Sequence, residues 1–239
     1  MILRDGKTET LDPRCGLIPQ DDPEATHIFA AKPPDGGIDL SKRDLISKRR
    51  IKKFGDPNLN QESWSACAGM TMAAALEHEP GIRSLGSEWA INFYFDAQDH
   101  DTFPGSERPG DPVQGKGTSM VAICEEAKRQ GLIKNWYRAY TIEEVIIGLA
   151  YYSCPLFGFL WTENMMYPSY SGMGRPTGKI IGGHAHLGTY VNLRTGIMGG
   201  PNSWDGWNKA ADGFWMMKIA DVENRLTTDG GECVFIEKA

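Results

Sequence analysis

The chain has 239 residues, enough to bury one good core, or two small lobes packed together, without a disulfide or a metal to hold it. With 41% hydrophobic and 23% charged residues it has a globular composition, which argues against a disordered or fibrous protein. The net charge is −6, and the nearest approach to a basic run, Lys48 to Lys53, reads as a solvated face, so nucleic acid is not an expected partner.

Neither the N-terminal stretch nor any other segment has the apolar length of a signal peptide or a membrane span, so no membrane partner is expected. The five cysteines are odd in number, widely spaced and without a CxxC pair, which suggests neither a disulfide framework nor a zinc site. A reducing setting, cytoplasmic or virion-associated, fits best. No metal or cofactor is expected.

Residues 1–45 are rich in Asp, Pro, Gly and Lys and lack periodicity, as in an extended arm or a short pro-segment. The remaining 46–239 read as one catalytic unit, helical over 46–145 and β-rich over 146–239. The Ala- and Met-rich run from Cys67 to His78 is a strong helix former stopped by Pro80-Gly81. Ser87 is the expected cap of a second helix through Gln98. A third spans about Thr118 to Gln130 with Gly131 just beyond it, and Thr141 with Glu144 forms a capping box for a fourth. After Pro155 the pattern changes to short apolar runs, PLFGFLW, HAHLGTYVN, GFWMMKI and ECVFIEK, separated by Gly, Asn and Pro. Helices followed by strands predict an α+β protein, a helical lobe packed on a β-barrel-like lobe, with a cleft between them suited to a polymeric substrate.

A free cysteine is by itself a small buried hydrophobe. Cys67 stands out because it opens a helix, where unpaired N–H groups and the helix dipole favour the reactive thiolate. Gln61, six residues upstream, can supply an amide donor beside the Cys67 N–H to make an oxyanion hole. A base that can also protonate a leaving amine is most simply a histidine. His27, His78 and His100 read as surface residues, which leaves His184 and His186, two apart on one strand face after Gly182-Gly183. Asn202, in PNSW, is a neutral amide able to accept from the imidazole, with Trp204 to cover that bond.

In this order the segments NQESWSACAGMTMAAALE, GKGTSMVAICEEAKRQGLI, GGHAHLGTYV and NSWDGWNKAADGFWMMKI resemble the active-site helix, substrate-side loop, His strand and Asn-Ser-Trp segment of the papain and cathepsin family of cysteine peptidases. The resemblance covers about residues 50–239 and implies a two-lobe papain-like fold. It implies catalytic Cys67, His184, Asn202 and Gln61, with His184 rather than His186 as base, because the tetrapeptide GGHA matches the family pattern. It also implies substrate binding at Gly117, Thr118 and Trp204, where Gly117-Thr118 replaces the family's Gly-Gly. Trp64 stands where the family has a cysteine, so that family disulfide is ruled out, and Ala68 replaces an aromatic residue beside the nucleophile. The implied reaction is hydrolysis of a polypeptide in the inter-lobe cleft through an acyl-thioester. Two alternatives stay open: a non-catalytic structural or binding subunit of a larger assembly such as a virion, whose partner orders the arm, and an endopeptidase acting on cell-wall peptides.

Overall fold

The computed structural model describes residues 15–18, 46–47, 59–78 and 85–239. The helices α1 (Cys67–Glu77), α2 (Gly86–Gln98) and α3 (Met120–Arg129) come first, followed by α4 (Ile142–Tyr151), α5 (Glu163–Met166) and α6 (Ile219–Thr227). The strands are β1 (Ile46–Ser47), β2 (Ile133–Arg138), β3 (Leu156–Thr162), β4 (Ile180–Leu187), β5 (Tyr190–Asn192), β6 (Ile197–Pro201), β7 (Phe214–Lys218) and β8 (Glu232–Lys238). They form two antiparallel sheets, in the orders β2-β8-β3-β4 and β1-β5-β6-β7. The arrangement is α+β, as the sequence predicts.

Every residue of α1 from Cys67 to Leu76 is buried, which explains why its sequence is apolar on all sides rather than on one stripe. Small residues let it approach its neighbours closely. A side chain added at Gly69 would lie 2.4 Å from the Ala90 carbonyl oxygen of α2.

The β2-β8-β3-β4 sheet is covered on both faces, so β3 and most of β8 read as near-continuous apolar runs rather than as an alternation. Leu156, Ala185, Leu187, Val234 and Ile236 pack with α1, α2 and α3 in one cluster. Phe157, Phe159, Trp161, Cys233 and Phe235, from the same strands, pack with α4, α6 and the second sheet in another. The two halves of the chain therefore share this sheet, and β2 reaches it from the first half by pairing with the C-terminal β8.

Thr141 accepts from Glu144 N–H and completes the expected capping box on α4. Gly131 follows α3 at φ +70°, a left-handed position that glycine adopts without strain. Ser87 does not cap α2; its Oγ accepts from Asn60 N–H at 2.8 Å. Instead the Glu77 carboxylate reaches across from α1 to the N–H groups of Leu85 and Gly86, a negative charge at a helix start. Nearly all of the expected arm, 1–45, lies outside the described residues, as does His27; only Cys15 to Ile18 of it is described.

Candidate active site

Cys67 is the first residue of α1 and is fully buried. Burial pushes its thiol pKa up, while hydrogen bonds with the backbone of Ala185, Gly16, Ala68 and Cys67 itself pull it down. Ala185 is the neighbour of His184 on β4, so the thiol lies against the strand that carries the expected base. None of the five cysteines is in a disulfide and all are buried, so exposure does not single out Cys67; its helix start and its neighbours do.

His184 is fully buried and its Nε2 lies 2.6 Å from Asn202 Oδ1. The orientation of the Asn202 amide is set by a fixed donor, because the Ser203 backbone N–H meets the same Oδ1 at 2.9 Å. An oxygen facing Nε2 requires that nitrogen to donate, which makes Nδ1 the basic nitrogen of the ring. Trp204 covers the pair, with its ring centroid 4.1 Å from that of His184, and Trp161 meets His184 edge-on at 4.9 Å.

Gln61 is fully buried, and its Oε1 accepts from Ser203 Oγ at 2.8 Å and Trp204 Nε1 at 3.0 Å. Indole N–H is only a donor, so this contact fixes the amide and sends Nε2 toward the nucleophile segment, where it donates to the Trp64 carbonyl at 2.7 Å. Gln61 thus ties the Asn202–Trp204 segment to the turn before Cys67.

The other histidines divide. His186 is buried with its ring 5.9 Å from that of His184, enclosed by Phe157, Phe159, Trp161 and Trp215. Burial, reinforced by His184 nearby, pushes its pKa well below the usual range, so it is a neutral packing residue. His78, expected on the surface, is only 6% exposed; His100, with a half-exposed side chain, fits that expectation.

Sequence patterns gave no sign of the segment Cys15 to Ile18 in this site. The Leu17 N–H donates to the Gly183 carbonyl at 2.9 Å, the Ile18 N–H to the Thr118 carbonyl at 2.9 Å, and the Thr118 N–H to the Gly16 carbonyl at 2.9 Å. The approach is so close that a Cβ at Gly183 would lie 2.2 Å from the Leu17 oxygen, one at Gly117 2.1 Å from the Gly16 oxygen and one at Gly182 2.5 Å from the Cys15 Cβ. The Leu17 side chain is 2% exposed and sits over Gly158 and Met120. Gly117 and Thr118, expected to hold a substrate backbone, hold this segment. Trp204 packs on His184 and Gln61.

No protein-family model matches the sequence, and no curated protein is significantly similar to it. Similar solved structures do exist. Xylellain, a cysteine protease from Xylella fastidiosa, has a TM-score of 0.74 at 13% identity, with 98% of this chain and 99% of that one covered. Digestive procathepsin L2 from the larval midgut of Tenebrio molitor gives 0.53 at 17% identity over 97% and 81%. Procathepsin B from Trypanosoma congolense gives 0.51 at 14% over 95% and 87%. The chain therefore has the papain-like cysteine protease fold.

Proposed function

We propose that this chain is a cysteine peptidase that hydrolyses peptide bonds of a polypeptide lying along Gly117, Thr118 and Gly183. His184 Nδ1 takes the thiol proton, and the Cys67 thiolate attacks the scissile carbonyl carbon. The resulting oxyanion is stabilised by the Cys67 N–H and the Gln61 side-chain amide. Collapse to the acyl-thioester expels the amine, which takes its proton from His184. The same nitrogen then deprotonates the water that releases the acid product and restores the thiol. Asn202 holds His184 in the one tautomer that serves both steps. The single observation that carries the reading is the 2.6 Å His184–Asn202 hydrogen bond, with the Asn202 amide oriented by Ser203 and the Cys67 thiol against Ala185.

The arm makes this a self-blocked enzyme, because Gly16 to Ile18 take backbone contacts that an extended substrate would use and leave Cys67 with no exposure. Two of the similar structures are themselves procathepsins, which favours a pro-segment role for residues 1–45. The same burial of Cys67 is also what a non-catalytic subunit would have, so the test must separate the two. In the intact chain, an epoxysuccinyl inhibitor should label Cys67 slowly. Leu17→Asp, which places a charge in an apolar seat, should speed labelling about 100-fold, the scale of a local opening made easy. Adding His184→Ala should abolish both labelling and peptide turnover. Absence of any Cys67 adduct in Leu17→Asp, read by peptide mass mapping, would establish the non-catalytic reading instead.

A further inference from the structure

Glu107 lies in the loop before α3 and far in sequence from the nucleophile, yet its carboxylate is 9% exposed and turned toward the Cys67 segment. Its Oε2 accepts from the Ser65 backbone N–H at 2.9 Å and from the Tyr94 hydroxyl at 2.9 Å. Oε1 is 3.4 Å from Ser65 Oγ and 3.8 Å from Lys116 Nζ. The Tyr94 hydroxyl, having donated to Glu107, accepts from the Gly117 N–H at 2.8 Å. A continuous chain of hydrogen bonds therefore runs from Ser65, two residues before the nucleophile, through Glu107 and Tyr94 to Gly117, which opens the stretch that holds the extended segment.

One turn along α2 from Tyr94, Gln98 completes the grip. Its Nε2 donates to the Gly115 and Gly117 carbonyls at 3.1 and 2.9 Å, and its Oε1 accepts from the Glu107 N–H at 2.9 Å. Residues four apart lie on one helix face, so α2 presents both side chains to the same loop. We infer that Glu107 and Tyr94 are positioning residues that lock the Cys67 segment and the Gly117–Thr118 stretch into one rigid unit, setting the distance between the nucleophile and the backbone of a bound peptide.

The physical case rests on what each group can do. The Ser65 and Gly117 amides are fixed on the backbone, and a buried amide left without a partner is costly. A carboxylate is acceptor-only and can receive both Ser65 and Tyr94 on one oxygen, which obliges the tyrosine to use its lone pair for Gly117. Movement of either segment breaks the chain at one bond and weakens the next. With none of the described cysteines in a disulfide, no covalent bond does this work.

The functional part of this inference rests on the peptidase reading, whereas the lock itself is tested without it. Amide hydrogen exchange of the intact chain should show Ser65 and Gly117 protected together. Tyr94→Phe removes only the hydroxyl and should speed exchange about tenfold or more at Gly117 and also at Ser65, which shares Glu107 Oε2 with it. Glu107→Ala should speed the same two amides, while Glu107→Gln, which keeps one oxygen for both donors, should retain most of the protection. Asp101→Asn is the control, because Asp101 accepts from the Thr118 hydroxyl at 2.7 Å from outside this chain of bonds and should leave Ser65 unchanged. Faster exchange at Gly117 alone in Tyr94→Phe, or equal loss in Glu107→Gln and Glu107→Ala, would overturn the lock. On the Leu17→Asp background, Tyr94→Phe should lower kcat/KM for an extended peptide about tenfold with iodoacetamide alkylation of Cys67 within twofold. A drop in both together would mean a general loosening of the fold. If Leu17→Asp alone has no turnover, the peptidase reading fails and the exchange data still decide the lock.

Discussion

Around Cys67 the packing is made of small residues. Ala66, Ala68, Gly69, Ala73, Ala74 and Ala75 are all buried, and the helix that carries them meets α2 and β4 almost backbone to backbone. Around His184 it is made of large rings, with Trp161, Trp204, Trp207 and Trp215 in edge-on or tilted contact with the histidines and with one another. One region is held by having no atoms to spare and the other by filling a wide space with stiff groups. They should fail in opposite directions, the first when atoms are added and the second when atoms are removed.

The largest effect is expected on the aromatic side. Trp161→Ala should cost about 3–5 kcal/mol in urea unfolding, since it empties a site that touches His184, His186, Trp204 and Trp207. Next comes Gly69→Ala, whose new Cβ would lie 2.4 Å from a backbone oxygen and 2.9 Å from Tyr94 Cβ. It should cost about 1–3 kcal/mol, because a helix must move to admit it. A Gly69→Ala protein as stable as the parent would break the comparison.

The smallest effect concerns acid. Burial depresses the His186 pKa below the ordinary histidine value of 6.5, so the folded state keeps the ring neutral where the unfolded chain takes up a proton. The stability from this group is fully present above that value and declines as pH falls toward the depressed folded pKa, at up to about 1.4 kcal/mol per pH unit. His186→Leu, similar in volume, should flatten the decline of the urea midpoint below pH 6 while leaving turnover within about threefold at pH 7. A mutant with the same acid slope as the parent would assign that slope to other groups.

How much of this was legible in the sequence depends on the range of the interaction. The Thr141–Glu144 box, the α1 start at Cys67 and the αL glycine after α3 are local patterns, and they are found as expected. The His184–Asn202 contact spans 18 residues and was reached only by combining residue chemistry with a resemblance. β6 reads Ile-Met-Gly-Gly-Pro, a loop by propensity, yet a Cβ at Gly200 would lie 1.9 Å from the Leu187 oxygen, so the pairing demands glycine there. β2 was missed because its burial does not alternate and its register shifts between Ile133 and Asn135. The Ser65–Glu107 bond bridges 42 residues from an irregular loop, and no periodicity marks such a contact.

Backbone recognition of Gly16 to Ile18 carries a consequence for how the cleft is opened. The segment is a tethered competitor, and a tether within the same chain holds its ligand at an effective concentration on the order of millimolar. Weak contacts, among the described residues a few backbone hydrogen bonds and one buried leucine, are then enough to keep the cleft filled. A single cut between Ile18 and β1 would leave every one of those contacts intact and still turn the competitor into a dilute peptide. At micromolar protein that is roughly a thousandfold fall in local concentration. Under the peptidase reading, activation is therefore a matter of severing the chain rather than of destroying the contact, and the released segment would remain a weak inhibitor whose potency rises with the amount of protein present.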